Sequence, residues 1–168
     1  DVIVSLGEEI SFLQLYIDIL RIRFGDSIQF HWDIDESLYD CKIIKMCLQP
    51  IVENAIHHGL RPKDYHGNIT ISAYCEDDNL CIAVTDDGQS TNPSALRELN
   101  ERLKTGTGFE ASKVGLRNVN ERIKLIYGKK YGVSINLTEP QAGESESADV
   151  RVVLHFPYRK NYGSEDKK

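Results

Sequence analysis

Apolar residues recur with two different periods along this chain, and the order in which those periods alternate leaves few folds open. Leu13, Tyr16, Ile17, Leu20 and Phe24 repeat at helical spacing after Ser5, which forms a capping box with Glu8, and Gly25 ends the run. Ile28, Phe30 and Trp32 alternate with Gln29 and His31, the period of a strand with one buried face. Helical spacing returns from about Ile43 to His58, where Pro50 should weaken the first half and Gly59 should stop the helix. Asn68 to Cys75 and Leu80 to Asp86 are strand-like and face each other across Glu76-Asp77-Asp78-Asn79, a hairpin pattern. A loop of about 25 residues follows Gly88, broken by a short helix that Asn92-Pro93 would start and Leu96, Leu99 and Leu103 mark. Leu116, Val119, Ile123 and Ile126 predict a further helix ending at Gly128. Closing strands over Tyr131 to Thr138 and Val150 to Phe156 flank the loop GESESAD. This order predicts an α+β fold, a two-layer sandwich with helices on one face of a mixed, mostly antiparallel sheet.

Composition narrows the function. With 168 residues, 40% of them hydrophobic, the chain suits one compact domain, and a net charge of -6 gives no basic field to hold nucleic acid. No run approaches the roughly 18 apolar residues of a membrane span, and the first residues lack a signal-peptide layout, so no direct membrane contact is expected. Cys41, Cys47, Cys75 and Cys81 form no Cys-x-x-Cys pair and read as reduced thiols of a cytoplasmic protein.

Three short segments carry candidate chemistry. Near the end of the second helix, Glu53, Asn54, His57 and His58 place carboxylate, amide and imidazole within reach of one face. A carboxamide oxygen suits Mg²⁺, which needs one or two protein ligands plus substrate phosphates, and a polar helix end facing water reads the same way. Zinc finds no tetrahedral set at its usual spacing. Asp86-Asp87-Gly88 ends an apolar strand where a carboxylate emerges and a glycine lets a flat ligand approach, although Asp-Gly is also a common turn. Val114-Gly115-Leu116 opens a helix, whose free N–H groups and dipole suit phosphate, or it is an ordinary helix start.

Taken in order, LQPIVENAIHHG, VTDDG and VGLRNVNERIKLIYG resemble the N box, G1 box and G2 box of the histidine-kinase ATP-binding domain, in the gyrase, Hsp90, kinase and MutL superfamily. SLGEEISFLQLYIDILRIRFGD and LQPIVENA are similar to the LytS/YesM-type sensor kinases, and the likeness runs from about Ser5 to Pro157. The resemblance implies a Bergerat-type sandwich binding ATP and Mg²⁺ beneath a lid formed by the loop after Gly88. It implies that Asn54 coordinates Mg²⁺, that Glu53 is the catalytic acidic residue, and that His57 stands near the phosphates. It also implies that Asp86 bonds the adenine amino group, that Gly88 makes room for the base, and that Gly115 and Leu116 receive phosphate. His58 occupies a place where the family commonly has histidine and would cap the helix.

Residues 1–25 would then be a helix leading in from a dimerisation region, 26–158 the ATP-binding domain, and 159–168 a disordered tail. The phospho-accepting histidine would lie on an upstream dimerisation helix absent from this chain. The full protein would be a dimeric membrane sensor paired with a response regulator. Asp86-Asp87-Gly88-Gln89-Ser90 departs from the family's Asp-x-Gly-x-Gly, Lys113-Val114-Gly115-Leu116 from Gly-x-Gly-Leu, and Asp149-Val150 from a late Gly-Thr. Lost glycines restrict backbone approach, and Lys113 would supply a compensating cation to the phosphates. Two alternatives accompany the kinase: a non-catalytic nucleotide-sensing or interaction module, and a self-contained ATPase with Glu53 as base.

Overall fold

A computed structural model describes residues 2–108, 113–138 and 148–160. The elements are strand β1 (Ile3–Ser5), helix α1 (Leu6–Phe24), strands β2 (Ile28–Ile34) and β3 (Lys42–Ile44), helix α2 (Leu48–Asn54), strands β4 (Gly67–Glu76) and β5 (Asn79–Asp86), helices α3 (Pro93–Thr105) and α4 (Val114–Tyr127), and strands β6 (Gly132–Thr138) and β7 (Asp149–Pro157). The expected capping box starts α1: the Glu8 N–H donates to Ser5 Oγ at 3.1 Å and the Ser5 N–H to Glu8 Oε2 at 2.8 Å. Gly25 closes the helix with φ at 58°, a conformation that favours glycine.

Five strands form one sheet in the order β2-β4-β5-β7-β6, with only β2 and β4 parallel. Its register aligns Trp32, Ile71, Val84, Val152 and Ile135 in a row across the sheet, on the face that the helices cover. Leu13 and Ile17 of α1, Leu48, Ile51 and Val52 of α2, and Leu116, Val119 and Ile123 of α4 pack against that face in a single core. Tyr74, Cys81, Ala83 and Val153 lie on the opposite face. The expected α+β sandwich is therefore present.

Three local expectations change. Lys42–Ile44 pairs with Ile3–Ser5 as a two-stranded antiparallel sheet, so the second helix begins at Leu48 and not near Ile43. Pro50 then sits in the first helical turn, where a missing N–H costs nothing, and it does not bend the helix. Gly59 does not stop the helix either: the chain continues as a π turn over Ala55–Leu60 and a 3₁₀ turn over Arg61–Lys63. The loop GESESAD lies almost wholly outside the described residues, as does most of the expected disordered tail.

Candidate functional site

Asp86 is a carboxylate in an apolar row. The sheet register places it beside Ile69 and Val150 on the helix-covered face, and it is 4% exposed. Desolvation pushes its carboxyl up to about 7, and the neighbouring Asp87 and Asp149 charges add to the rise. The Gly88 N–H donates to Asp86 Oδ1 at 3.1 Å and opposes it. The next residue does different work. Asp87 accepts from the Asn68 N–H at 2.6 Å and from Asn68 Nδ2 at 2.7 Å, pinning the end of β5 to the start of β4.

Two glycines permit this arrangement. A Cβ on Gly59 would stand 2.2 Å from Asp86 Oδ1, and one on Gly88 would stand 2.1 Å from the Gly59 carbonyl oxygen. The Gln89 N–H donates to that same carbonyl at 2.7 Å. Gly88 thus backs onto the π turn, and its missing side chain serves that backbone contact. This packing by itself calls for glycine at that position. Above Asp86 opens a cavity of about 290 Å³ lined by Asn54, His58, Asp86, Leu99, Lys113 and Val152, among others. Aliphatic side chains such as Leu96, Leu99, Ile135 and Val152, interrupted by polar and charged ones, suit a flat heterocycle with polar edges.

A second cleft, of about 430 Å³, lies on the other side of Asn54 and is bordered by Glu53, His57, Gly115 and Leu116 together with residues of α1. Neighbouring side chains on a helical turn diverge, so His57 borders this cleft and His58 the Asp86 cavity, their rings meeting edge-on at 5.0 Å. Glu53, Asn54 and His57 do share one face, but His58 leaves it. Glu53 is exposed and accepts from Gln49 Nε2 at 3.0 Å. Gly115 falls in the first turn of α4, beside Pro50 of α2, and so aims free N–H groups at the cleft. Lys113 is the N-cap of α4 and lines the Asp86 cavity, on the opposite side from Gly115.

Asn54 alone of the sequence-nominated residues borders both cavities. Its Oδ1 is shielded from solvent and finds no donor among the described residues. A buried acceptor without a donor fits a cation ligand, since a cation would satisfy the oxygen that the protein does not. Among the described residues no group of three or more His, Cys, Asp or Glu side chains could hold a metal by itself, so a cation at Asn54 would take its other ligands from water or a bound molecule.

The segment expected to be a mobile lid is partly anchored. Asn92 caps α3 through the Ala95 N–H at 2.8 Å, and Leu96 and Leu103 are buried. Asn100 clasps the edge strand β6, donating to the Ile135 carbonyl at 2.8 Å and accepting from the Ile135 N–H at 3.0 Å. Asn120 of α4 is buried, donates to the Leu103 carbonyl at 2.8 Å and accepts from the Val133 N–H at 2.8 Å. These contacts make α3 a wall of the Asp86 cavity. Residues 109–112 lie outside the described residues.

Sequence reading missed Glu9. It lies on the buried side of α1, 2% exposed, and accepts from the N–H groups of Met46 at 3.0 Å, Cys47 at 2.8 Å and Leu48 at 3.2 Å. Cys47, the N-cap of α2, offers no side-chain cap, so Glu9 caps that helix from 37 to 39 residues away in sequence. The helix that presents Asn54 is thus seated on α1. Only the charge of Glu9 beside a run of apolar residues could have signalled this.

Residues 40–160 match the family described as histidine kinase-, DNA gyrase B-, and HSP90-like ATPase. The chain is 36% identical over 137 residues to the sensor histidine kinase YpdA of Escherichia coli (strain K12), covering 82% of this chain and 23% of that protein. It is 34% identical over 157 residues to the sensor histidine kinase YesM of Bacillus subtilis (strain 168), covering 94% of this chain and 24% of that protein. The chain therefore spans about a quarter of the length of these relatives. In fold it is similar to the nucleotide-free catalytic domain of the histidine kinase ThkA, with a TM-score of 0.64, 15% identity, and coverage of 93% of this chain and 95% of that one. A carboxylate set in an apolar sheet row, an amide joining two cavities and a helix start facing the second of them thus stand on a sequence that matches across most of its length. The chain belongs to the histidine kinase-, DNA gyrase B- and HSP90-like ATPase family.

Proposed function

We propose that this chain binds Mg-ATP and presents the γ-phosphoryl group to a histidine on a dimerisation helix elsewhere in the same protein, a dimeric sensor whose catalytic part is cytoplasmic. The observation that carries this reading is Asn54, whose unsatisfied buried oxygen stands between an adenine-sized cavity and a cleft faced by a helix start. Asp86 in its ionised form accepts from the adenine amino group, and His58 forms part of the wall around the base. The first turn of α4 at Gly115 and Leu116 receives phosphate through its N–H groups and dipole. Lys113 tethers the neighbouring loop to the nucleotide. Mg²⁺ held by Asn54 would neutralise phosphate charge and orient the oxygens around the γ-phosphorus.

In the transfer, the acceptor histidine nitrogen bonds to the γ-phosphorus while the bond to the bridging oxygen breaks and ADP leaves. Glu53, exposed at the cleft, orients the acceptor ring and takes up its proton. His57 borders the same cleft and adds a titratable donor. The phosphoryl group then passes to a response regulator. Partner choice draws support from the solved complex of ThkA with the response regulator protein TrrA, a chain of which 42% is covered at a TM-score of 0.59.

Residues 1–25 would join the domain to the dimerisation region. Phe12, Leu15, Ile19 and Ile22 form a second, exposed apolar stripe on α1 at three- and four-residue steps, the spacing of a helical-bundle seam. No described helix is long and apolar enough to cross a membrane.

Calorimetric titration of Mg-ATP into the wild-type chain and Asn54→Ala tests the proposal. The variant should lose Mg-dependent binding while its melting temperature moves by no more than about 1 °C, because it deletes an already unsatisfied polar group. Unchanged affinity would refute the role of Asn54. Steady phosphate release by the chain alone would favour an ATPase that uses Glu53 on water, and no binding by wild type would favour a non-catalytic interaction module.

A further inference from the structure

The cleft at Gly115 has a side that none of the three candidate site segments supplies. Tyr16, Leu20 and Arg23 lie four and three residues apart along α1, so they share one helical stripe, and all three border this cleft opposite Glu53, Asn54 and His57. Among the described residues lining the cleft, Arg23 is the single permanent cation. It makes no ion pair with any described residue and rests over the Phe24 ring, 4.8 Å from its centroid. Phe24 in turn stacks on Tyr65 with ring centroids 4.6 Å apart, which fixes this end of α1 against the turns that follow His58.

Glu53 opposes an anion at its own exposed edge of the cleft, so the permanent charge that can hold one has to come from Arg23 on the α1 side. Tyr16 stands between the fields of Glu53 and Arg23, and burial with the Glu53 charge holds its phenol up to about 12. It therefore keeps its proton at neutral pH and can donate to an oxyanion. A guanidinium beside a hydroxyl donor, facing a helix start, matches the tetrahedral and multiply charged end of a polyphosphate.

We infer that Arg23, assisted by Tyr16, forms a terminal-phosphate subsite that makes this domain prefer a nucleoside triphosphate to a diphosphate. The inference rests on the nucleotide reading above and deepens it. Arg23 acts here as a specificity-determining residue. Because it belongs to α1, a shift of that helix along its axis would change hold on the γ-phosphate without moving the base cavity. Release of the diphosphate product follows from the same geometry, since the product no longer reaches the guanidinium.

Calorimetric titration of the 168-residue chain with Mg-ATP and with Mg-ADP separates the possibilities. Wild type should bind the triphosphate more tightly. Arg23→Met should lose about ten- to a hundredfold in ATP affinity and less than about twofold in ADP affinity. Arg23→Lys keeps the charge and should hold the ATP-to-ADP ratio within about threefold of wild type, and Tyr16→Phe should lower ATP affinity alone by about threefold to tenfold. Equal loss of both nucleotides in Arg23→Met would mean the residue merely seats Phe24, and loss of neither would remove it from the site; either result overturns the inference. A ratio in Arg23→Lys as low as in Arg23→Met would also count against it. Failure of wild type to bind either nucleotide overturns the underlying nucleotide reading as well, and is distinguished by the absence of heat from both titrations.

Discussion

Replacement of Asp86 by asparagine should stabilise this domain while impairing adenine recognition, and the size of the first effect follows from burial. The carboxyl titrates at about 7 in the folded chain, against an ordinary value of 3.8, chiefly because the fold strips it of water. Between those values the folded state holds a proton that the unfolded chain has released, so unfolding free energy falls as pH rises across that window. The loss is complete above pH 7 and absent below about 4. At about 1.4 kcal/mol for each tenfold change in proton affinity, the penalty has an upper limit of about 4 kcal/mol. Asparagine keeps an oxygen to accept from the Gly88 N–H and carries no charge to desolvate. For a chain of this length each kcal/mol moves the melting temperature by about 2–4 °C. Asp86→Asn should therefore melt close to wild type at pH 4 and up to about 8–16 °C higher at pH 8.

Binding should move the other way. The variant should lose about ten- to a hundredfold in ATP affinity and almost nothing for inorganic triphosphate, because only adenine meets this side chain. Wild-type ATP affinity should rise through pH 7 as the accepting carboxylate forms. Differential scanning calorimetry from pH 4 to 8, paired with titration of both ligands, reads all of this. A stability gap that fails to widen with pH, or equal losses for the two ligands, would refute the desolvated-carboxylate account and leave Asp86 a turn residue.

Glu9→Gln should cost about 2 kcal/mol, read as a fall of roughly 4–8 °C in melting temperature, because an amide cannot accept from all three N–H groups at the start of α2; an unchanged melting curve would show that the cap is dispensable. Gly88→Ala should destabilise the fold by at least about 2 kcal/mol in denaturant titration, since its Cβ would meet the Gly59 carbonyl at 2.1 Å. A variant that unfolds like wild type but loses only nucleotide would refute the packing account and support the reading in which Gly88 makes room for the base.

The sequence by itself determined every element whose period was strong and whose ends carried local chemistry. The capping box at Ser5, the helix start at Asn92-Pro93, the hairpin across residues 76–79 and the two-layer arrangement all rest on contacts between residues close in the chain or on the facing of apolar stripes. Asn54, Asp86 and Gly115 were nominated from short segments in a fixed order, and the fold sets Asp86 at one cavity, Gly115 at the other and Asn54 between them. What failed was local spacing overruled by distant partners. Ile43 and Ile44 fit a helical pattern, yet pairing with Val4 and Ile3 made them a strand, since an extended edge could satisfy its backbone groups there. Gly59 looked like a helix stop, whereas its true constraint is the Asp86 carboxylate 2.2 Å from where a Cβ would stand. Glu9 looked like a solvated charge until the fold carried the start of α2 to it. Arg23 and Tyr16 lie in the first helical segment, which suggested no chemistry for them, and only the packing of α1 beside α2 and α4 gave them a cleft to face. Periodicity reports which side of an element is apolar, but which polar side chains meet across elements depends on how those elements pack, and that is where this site's charge balance was decided.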